Sequence, residues 1–190
     1  MLIAIDGVDG VGKTTYATRL SEALGLRRVR SWEHAKRAAK EGKWEQWHQL
    51  MACGVEVNGP VEDLYSLDII GVLGASAILD RTITSAIAYS DSVLIRERSD
   101  YLLNAWYLLV SRIEPPHLFV WLRSPWSTSS KRREGRDEKW GDIENKARYN
   151  RIQKRYAELF EEVRIPKIAI DTSRVSVESG TKRIIGRLRG

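Results

Sequence analysis

One segment near the start of the chain combines glycines, a lysine and a threonine in a spacing that could bind phosphate. Residues 7–14 read Gly-Val-Asp-Gly-Val-Gly-Lys-Thr and match the pattern G-x-x-x-x-G-K-[ST]. In such a loop, consecutive backbone N–H groups form an anion nest in front of a helix. We expect Lys13 to reach the β- and γ-phosphates of a nucleoside triphosphate and the Thr14 hydroxyl to bind Mg²⁺. The residues expected to bind the nucleotide here are Gly7, Asp9, Gly10, Val11, Gly12, Lys13, Thr14 and Thr15.

The elements that must position this loop follow from the hydrophobic pattern. A short apolar run at 2–5 predicts a buried strand before the loop, and 14–24 predicts a helix that ends at Gly25. Strands are also predicted at 26–30, 76–79, 117–122 and 167–170, and helices at 33–51, 61–73, 95–113, 125–133, 147–163 and 176–188. This alternation predicts an α/β fold with a five-stranded parallel sheet and helices on both faces. We expect residues 1–190 to form one domain.

Composition excludes several classes of protein. The chain has 190 residues, of which 43% are hydrophobic, so it is not disordered throughout. No apolar run reaches the roughly 18 residues of a membrane span, and we expect no membrane partner. The single cysteine, Cys53, cannot form an internal disulfide. The first residues do not resemble a signal peptide, so the expected location is the cytoplasm, or the host cytoplasm if the protein is viral.

Positive charge is concentrated in one late segment. The formal net charge is +6, and ten basic and five acidic residues lie between Lys131 and Arg155. Such a run could be a solvated helix with many salt bridges. It could also cover a polyphosphate or a nucleic acid.

Four segments resemble the thymidylate kinase family of P-loop kinases. Residues 5–15 are similar to the family's opening, where an acidic residue lies inside the phosphate loop, and 80–89 resembles its Asp-Arg-x-x-x-Ser-x-x-Ala-Tyr segment. Residues 149–159 are similar to the helix after the lid, and 170–173 to the strand and loop that flank adenine. The resemblance implies a P-loop kinase fold and an ATP-dependent transfer of phosphate to a pyrimidine deoxynucleotide such as dTMP.

The resemblance also implies roles for individual residues around the phosphates. Lys13 and Thr14 would hold ATP and magnesium, and Asp80 would steady Mg²⁺ through water. Arg81 would bridge the donor and acceptor phosphates. Asp9 would contact a sugar hydroxyl of the acceptor.

A basic lid at about residues 131–145 is the next feature that the resemblance implies. Arg132, Arg133 and Arg136 would close over the transferring phosphoryl group, whose developing negative charge cations stabilise. Residues 8–11 include no arginine, so the lid would have to supply this charge. Arg132 and Thr172 are also expected to contact ATP.

On the acceptor side the sequence departs from the family pattern. Trp32 stands where the family has an arginine that grips the acceptor's phosphate, although Arg30 is close by. Tyr65 supplies the expected aromatic residue, but no arginine follows it, and Ser90 stands where a glutamine would help to read thymine. An acceptor with a plain hydroxyl would not need these arginines, but it would need a base. Glu33 is the first candidate for that base and Asp9 the second, and Glu33 could equally serve a helix N-terminus.

These departures leave a second acceptor class open. It is the hydroxyl of a deoxynucleoside, or the hydroxymethyl group of 5-hydroxymethyluracil in phage DNA. Trp32, Trp44 and Trp47 lie among basic residues and could stack on bases, or they could form a packed helix face. The partner is therefore a nucleotide acceptor or DNA.

Two further hypotheses concern the whole molecule. A P-loop switch without kinase activity is disfavoured by the Asp80–Arg81 pair and the arginine-rich lid. The helix through Leu102 and Leu109 could be core or an interface, and we expect mainly core with some contact between copies in a homodimer.

Overall fold

Parallel strands form the centre of the molecule. The computed structural model describes residues 1–30, 76–90, 97–134 and 145–189. Within these ranges the strands are β1 (Leu2–Asp6), β2 (Arg27–Val29), β3 (Ala77–Asp80), β4 (His117–Arg123) and β5 (Lys167–Asp171). They form one sheet in the order β2-β3-β1-β4-β5, and every pairing is parallel.

The order of the strands reverses at β1. The chain runs from β1 to one side of the sheet through β2 and β3, and then to the other side through β4 and β5. In open α/β sheets, ligands bind outside the carboxyl ends of the strands where the order reverses in this way. Ile5 is the register partner of Asp80, so the phosphate loop and Asp80 leave the sheet side by side.

Helices flank the sheet in two packing groups. They are α1 (Lys13–Leu24), α2 (Ile83–Tyr89), α3 (Ser99–Val110), α4 (Trp126–Arg133), α5 (Lys146–Glu162) and α6 (Val177–Arg189). Helix α1 packs on α6, while α2 packs on α3 and α5. All five residues of β1 are buried, which explains its unbroken apolar run, because a parallel strand with both faces covered has no solvent side.

The predicted α/β architecture and its five-stranded parallel sheet are confirmed. Strand β2 is shorter than predicted, and the helix Ile83–Tyr89 is not among the elements that the sequence pattern predicts. The helices predicted at 33–51 and 61–73 lie outside the described residues. Of the lid range, residues 131–133 form the last turn of α4, and 135–144 also lie outside.

Helix α3 buries one face in the core and leaves an apolar edge exposed. Leu103 and Trp106 are buried, whereas Tyr101 and Leu108 are 72% and 69% exposed. The predicted homodimer stays a prediction. In the described part of the chain, no helix is both long and apolar enough to cross a bilayer.

Candidate active site

The phosphate loop, residues 7–14, packs so closely against two other elements that two of its glycines have no room for a side chain. Gly7 has φ +144°, and a Cβ there would lie 2.2 Å from the carbonyl oxygen of Leu122 at the end of β4. Gly10 has φ +86°, and its Cβ would lie 2.6 Å from the carbonyl oxygen of Ser129 in α4. Only glycine allows both the backbone conformation and this approach. The loop is therefore held between the sheet and the helix that leads into the predicted lid.

Lys13 is buried at the first position of α1, and its ammonium lies beneath the loop. Nζ donates to the carbonyl oxygens of Gly7 (2.8 Å) and Val8 (3.0 Å) and to Asp9 Oδ1 (3.2 Å). Burial lowers the pKa of Lys13, and the nearby Asp9 carboxylate opposes this effect. The three donors of the ammonium hold the loop around a single positive charge.

Thr14 and Asp80 meet beside the loop. Thr14 Oγ1 donates to Asp80 Oδ2 at 3.0 Å, although the two residues come from different elements. The guanidinium of Arg30, just after β2, contacts both, from Nε to Asp80 Oδ2 and from Nη2 to Thr14 Oγ1, each at 3.2 Å. A hydroxyl, a buried carboxylate and a cation thus share one small space.

Asp9 is the acidic residue of the loop, and it pairs with two cations. Its Oδ1 accepts from Lys13 and from Nη2 of Arg81. Burial raises the pKa of Asp9, but Lys13 and Arg81 outweigh that effect and hold the pKa below its ordinary value. Tyr89 accepts a hydrogen bond from the Asp9 backbone N–H at 2.8 Å, and its ring lies 5.4 Å from the Arg81 guanidinium carbon.

Arg81 has an unusual backbone. Its φ is +85°, the only positive φ of a non-glycine residue among the described residues. This left-handed conformation is unfavourable for arginine and persists only where the surroundings impose it. Here it turns the chain between β3 and α2 so that the guanidinium reaches Asp9.

A buried carboxylate anchors the segment that follows Arg81. Asp6, with no exposed surface, accepts hydrogen bonds from the hydroxyls of Thr82, Thr84 (2.5 Å) and Ser85. Tyr156 Oη from α5 in turn donates to Ser85 Oγ at 2.9 Å. Burial raises the pKa of Asp6, although the three hydroxyls favour its ionised form. The end of β1 is thereby tied to the first turn of α2.

Arg132 joins the phosphate loop to the end of β5. Its Nη1 donates to Thr172 Oγ1 (2.9 Å) and reaches the Gly10 carbonyl oxygen at 3.5 Å, while Nη2 donates to the Thr172 carbonyl oxygen at 2.7 Å. The next residue, Arg133, takes a different direction and lies over the Trp126 ring at 5.0 Å.

The structure therefore brings most of the sequence-predicted site residues to one edge of the sheet. Direct contacts join Asp9 to Lys13 and Arg81, and Thr14 to Asp80. Arg132 and Thr172 lie on the other flank of the loop. Val11 is fully buried and its backbone N–H donates to the Val8 carbonyl oxygen at 3.4 Å, whereas Thr15 is exposed on the first turn of α1. Glu33 and Arg136 lie outside the described residues.

Sequence reasoning assigns no role to two residues that support this site. Asp6 reads as the last residue of an apolar strand, and a carboxylate at the end of such a run is the signal that could have identified it. Arg155 donates from Nη1 to the carbonyl oxygens of Ala88 (3.1 Å) and Ser90 (2.5 Å), so it covers the end of α2. Nothing in the charge pattern distinguishes it from its basic neighbours.

Comparison with solved structures places this geometry in a known fold. A deoxyadenosine kinase from M. mycoides with bound dATP aligns over 100% of both chains with a TM-score of 0.67 and 18% identity. The YorR protein of Bacillus subtilis, in complex with phosphorylated GDP, has the same TM-score at 21% identity, covering 100% of this chain and 96% of that one. The chain has the P-loop kinase fold.

A further structure of the M. mycoides deoxyadenosine kinase, with products dCMP and a flexible dCDP, aligns with a TM-score of 0.60 over 100% of this chain and 98% of that chain at 18% identity. No protein-family model matches the chain. No curated protein matches it in sequence either. The likeness therefore concerns the fold, and activity has to be argued from the site.

Proposed function

We propose that this protein is an ATP-dependent phosphotransferase of the thymidylate kinase-like class that acts on nucleosides or nucleotides. The observation that carries the proposal is that Asp9 pairs with the Lys13 ammonium and with Arg81, while the residues next to these two in sequence, Thr14 and Asp80, are bonded to each other. These contacts occur at the sheet edge where α/β proteins bind ligands.

The charges in the site match the needs of phosphoryl transfer. Negative charge spreads over the equatorial oxygens of the transferring group, and fixed cations stabilise it. Lys13 supplies one cation beneath the loop, and Arg81 supplies a second on the side of α2. Arg132 would add a third from α4, between the loop and Thr172, where the adenine nucleotide would lie.

The residues present also fit Mg²⁺. Magnesium prefers oxygen ligands, and Thr14 Oγ1 and Asp80 Oδ2 are such oxygens, 3.0 Å apart. The Arg30 guanidinium already contacts both oxygens, which supports a site for positive charge. When bound, the ion would neutralise charge on the phosphates of ATP.

A pyrimidine deoxynucleotide such as dTMP is the first acceptor candidate. The segment 80–89 supports it, because Arg81 lies at the loop and the Tyr89 ring packs next to its guanidinium. Asp9 contacts both, since its carboxylate pairs with Arg81 and its backbone N–H donates to Tyr89. A sugar hydroxyl could be bound beside it.

The hydroxyl of a deoxynucleoside is the second acceptor candidate. Two of the similar structures are of a deoxyadenosine kinase, and Trp32 replaces the arginine that a monophosphate acceptor would need. Glu33 is the candidate base for this reaction. The hydroxymethyl group of a base in DNA belongs to the same chemical class.

The experiment offers ATP labelled in the γ-phosphate to dTMP, thymidine, deoxyadenosine and duplex DNA containing 5-hydroxymethyluracil in parallel. Label on dTMP alone would select the first candidate, and label on a nucleoside or on DNA would select the second class. Lys13→Ala is expected to lose transfer to every acceptor, whereas Lys182→Ala, which removes an exposed lysine paired with Glu178, keeps it. Absence of label from all acceptors would refute the proposal.

A further inference from the structure

A guanidinium group stands where the proposed magnesium ion would bind. Arg30 follows the edge strand β2, and its side chain contacts both Thr14 Oγ1 and Asp80 Oδ2 at 3.2 Å. Asp80 is 4% exposed and Arg30 24% exposed, so the ion pair is shielded on the carboxylate side and open on the arginine side. The Thr14 hydroxyl completes the cluster by donating to the same carboxylate oxygen.

Magnesium and Arg30 cannot keep the same partners. Mg²⁺ takes octahedral oxygen ligands at about 2.0–2.1 Å and retains several waters. An ion bound to Thr14 Oγ1 and close to Asp80 would be next to the Arg30 guanidinium. Two neighbouring cations repel each other strongly in a partly buried site. The hydroxyl must also turn its lone pairs toward the ion, so its bonds within the cluster change.

We propose that Arg30 is an internal counter-cation of the Thr14–Asp80 pair, which Mg²⁺ displaces when the nucleotide binds. The guanidinium neutralises Asp80 and holds the pair together before loading. It therefore competes with magnesium and raises the Mg²⁺ concentration at which the nucleotide binds tightly. This inference rests on the proposed function, because it assumes that Mg²⁺ and ATP use this loop.

An ordinary phosphate-binding arginine would behave differently. It would contact the nucleotide directly, so its removal would weaken binding with and without magnesium. Competition instead predicts that removal changes the dependence on magnesium. The two roles can therefore be separated by equilibrium binding alone.

The chain offers a matched control two residues before Arg30, in strand β2. This residue is Arg28, and its Nη1 donates to Thr18 Oγ1 at 2.9 Å, one turn of α1 beyond Thr14. Arg28→Gln removes the same charge and an analogous arginine–threonine contact, but it leaves Asp80 alone. Arg30→Gln is the test variant, and Arg30→Lys retains the positive charge.

The experiment measures binding of a non-hydrolysable ATP analogue by calorimetry over a series of Mg²⁺ concentrations that starts in EDTA. For Arg30→Gln we expect a fall of about fivefold in the Mg²⁺ concentration that gives half of the full increase in affinity for the analogue. This fold-change corresponds to the free energy of a partly exposed ion pair. Arg30→Lys and Arg28→Gln are expected to stay within about twofold of the wild type, since the competing charge is kept in both. Circular dichroism confirms that each variant is folded.

Three results would overturn the inference. An unchanged magnesium midpoint in Arg30→Gln would exclude competition. An equal loss of affinity in EDTA and in magnesium would make Arg30 a phosphate ligand, and a fall in Arg30→Lys equal to that in Arg30→Gln would show that charge is not what competes. If the wild-type protein binds no analogue at any Mg²⁺ concentration, the proposed function fails and the inference fails with it; the other outcomes leave that function intact.

Discussion

The backbone N–H of Asp9 donates a hydrogen bond to the hydroxyl of Tyr89 at 2.8 Å. This contact joins the middle of the phosphate loop to the last residue of α2, the helix that begins just after Arg81. The Arg81 guanidinium contacts both residues, because it pairs with the Asp9 carboxylate and lies 5.4 Å from the Tyr89 ring centre. The shape of the loop therefore depends on a residue that does not belong to the phosphate-binding motif.

Replacing Tyr89 by phenylalanine tests this dependence. Tyr89→Phe keeps the ring but leaves the partly buried Asp9 N–H without its acceptor, at a cost of about 1 kcal/mol or more. We expect affinity for the ATP analogue to fall about tenfold, as measured by calorimetry. Tyr107→Phe is the control, because Tyr107 Oη also accepts from a backbone N–H, that of Arg164 at 3.0 Å, far from the loop. Equal affinities in the two variants would contradict the prediction.

A methyl group at Gly10 should disrupt the loop. Gly10→Ala places a Cβ 2.6 Å from the Ser129 carbonyl oxygen and forces alanine to φ +86°. Strain of this kind costs about 1–3 kcal/mol, so we expect nucleotide affinity to fall about tenfold or more. Gly186→Ala adds the same methyl group in α6, where no atom apart from the adjacent helix backbone and chain neighbours lies within 4 Å. It is expected to raise the free energy of unfolding by about 0.5–1 kcal/mol. Normal nucleotide binding by Gly10→Ala would refute the loop geometry.

The two neighbouring arginines at the end of α4 should differ in their effects. We expect Arg132→Ala to lower turnover by about 10²–10³ while nucleotide affinity changes much less, because the charge it supplies matters most when the phosphoryl group transfers. Arg136→Ala is expected to act in the same direction. Arg133→Ala removes a stacking contact with Trp126 instead and should leave turnover unchanged.

Steady-state kinetics together with equilibrium binding would check this prediction. Equal turnover in Arg132→Ala and the wild type would show that Arg132 is not catalytic. Equal losses in Arg132→Ala and Arg133→Ala would instead indicate a general effect on α4.

The buried Asp6 should make stability depend on pH. Burial raises the pKa of Asp6 in the folded state above the ordinary value of 3.8, which it has in the unfolded state. At a pH between the unfolded and the folded pKa, the folded state therefore binds more protons than the unfolded state. Stability contributed by this group is therefore present at low pH and is lost as pH rises through the folded pKa. The loss amounts to about 1.4 kcal/mol for each unit by which the pKa is raised.

Urea unfolding of the wild type and Asp6→Asn over a pH series isolates this effect. The amide does not titrate, so the stability of Asp6→Asn relative to the wild type is expected to increase with pH from 3.8 upward. Asp9 has a lowered pKa and acts in the opposite direction in both proteins, so it cancels in the difference. If the difference in unfolding free energy between the two proteins stays flat or decreases with pH, the raised pKa of Asp6 is contradicted.

Local patterns were enough to predict the sheet and the loop between its first strand and the first helix. The runs that became β1, β3, β4 and β5 are short and apolar, and the loop motif lies between a strand and a helix, as the structure has it. The seven-residue α2 is too short for a helical period to be seen, and its start is set by Thr82, which caps Thr84 and contacts Asp6. The formation of α2 therefore depends on Asp6, which is distant in sequence.

The sequence predicts which residues belong to the candidate site better than it predicts which of them contact each other. The motifs identify Thr14 and Asp80, but the Arg30 guanidinium joins them only because β2 lies next to β3 in the sheet. Arg81 likewise follows from the motif, whereas its left-handed backbone and its approach to Asp9 follow from the way β3 turns into α2. The sequence determines which groups are present, and the register of the strands determines which of them meet.

A crystal structure with a non-hydrolysable ATP analogue and Mg²⁺ tests the central claim most directly. We predict that the triphosphate lies in the loop of residues 7–14, with Lys13 Nζ turned from the Gly7 and Val8 carbonyl oxygens to the β- and γ-phosphates. A structure that holds the analogue elsewhere, with Lys13 still bound to those carbonyl oxygens, would contradict the account.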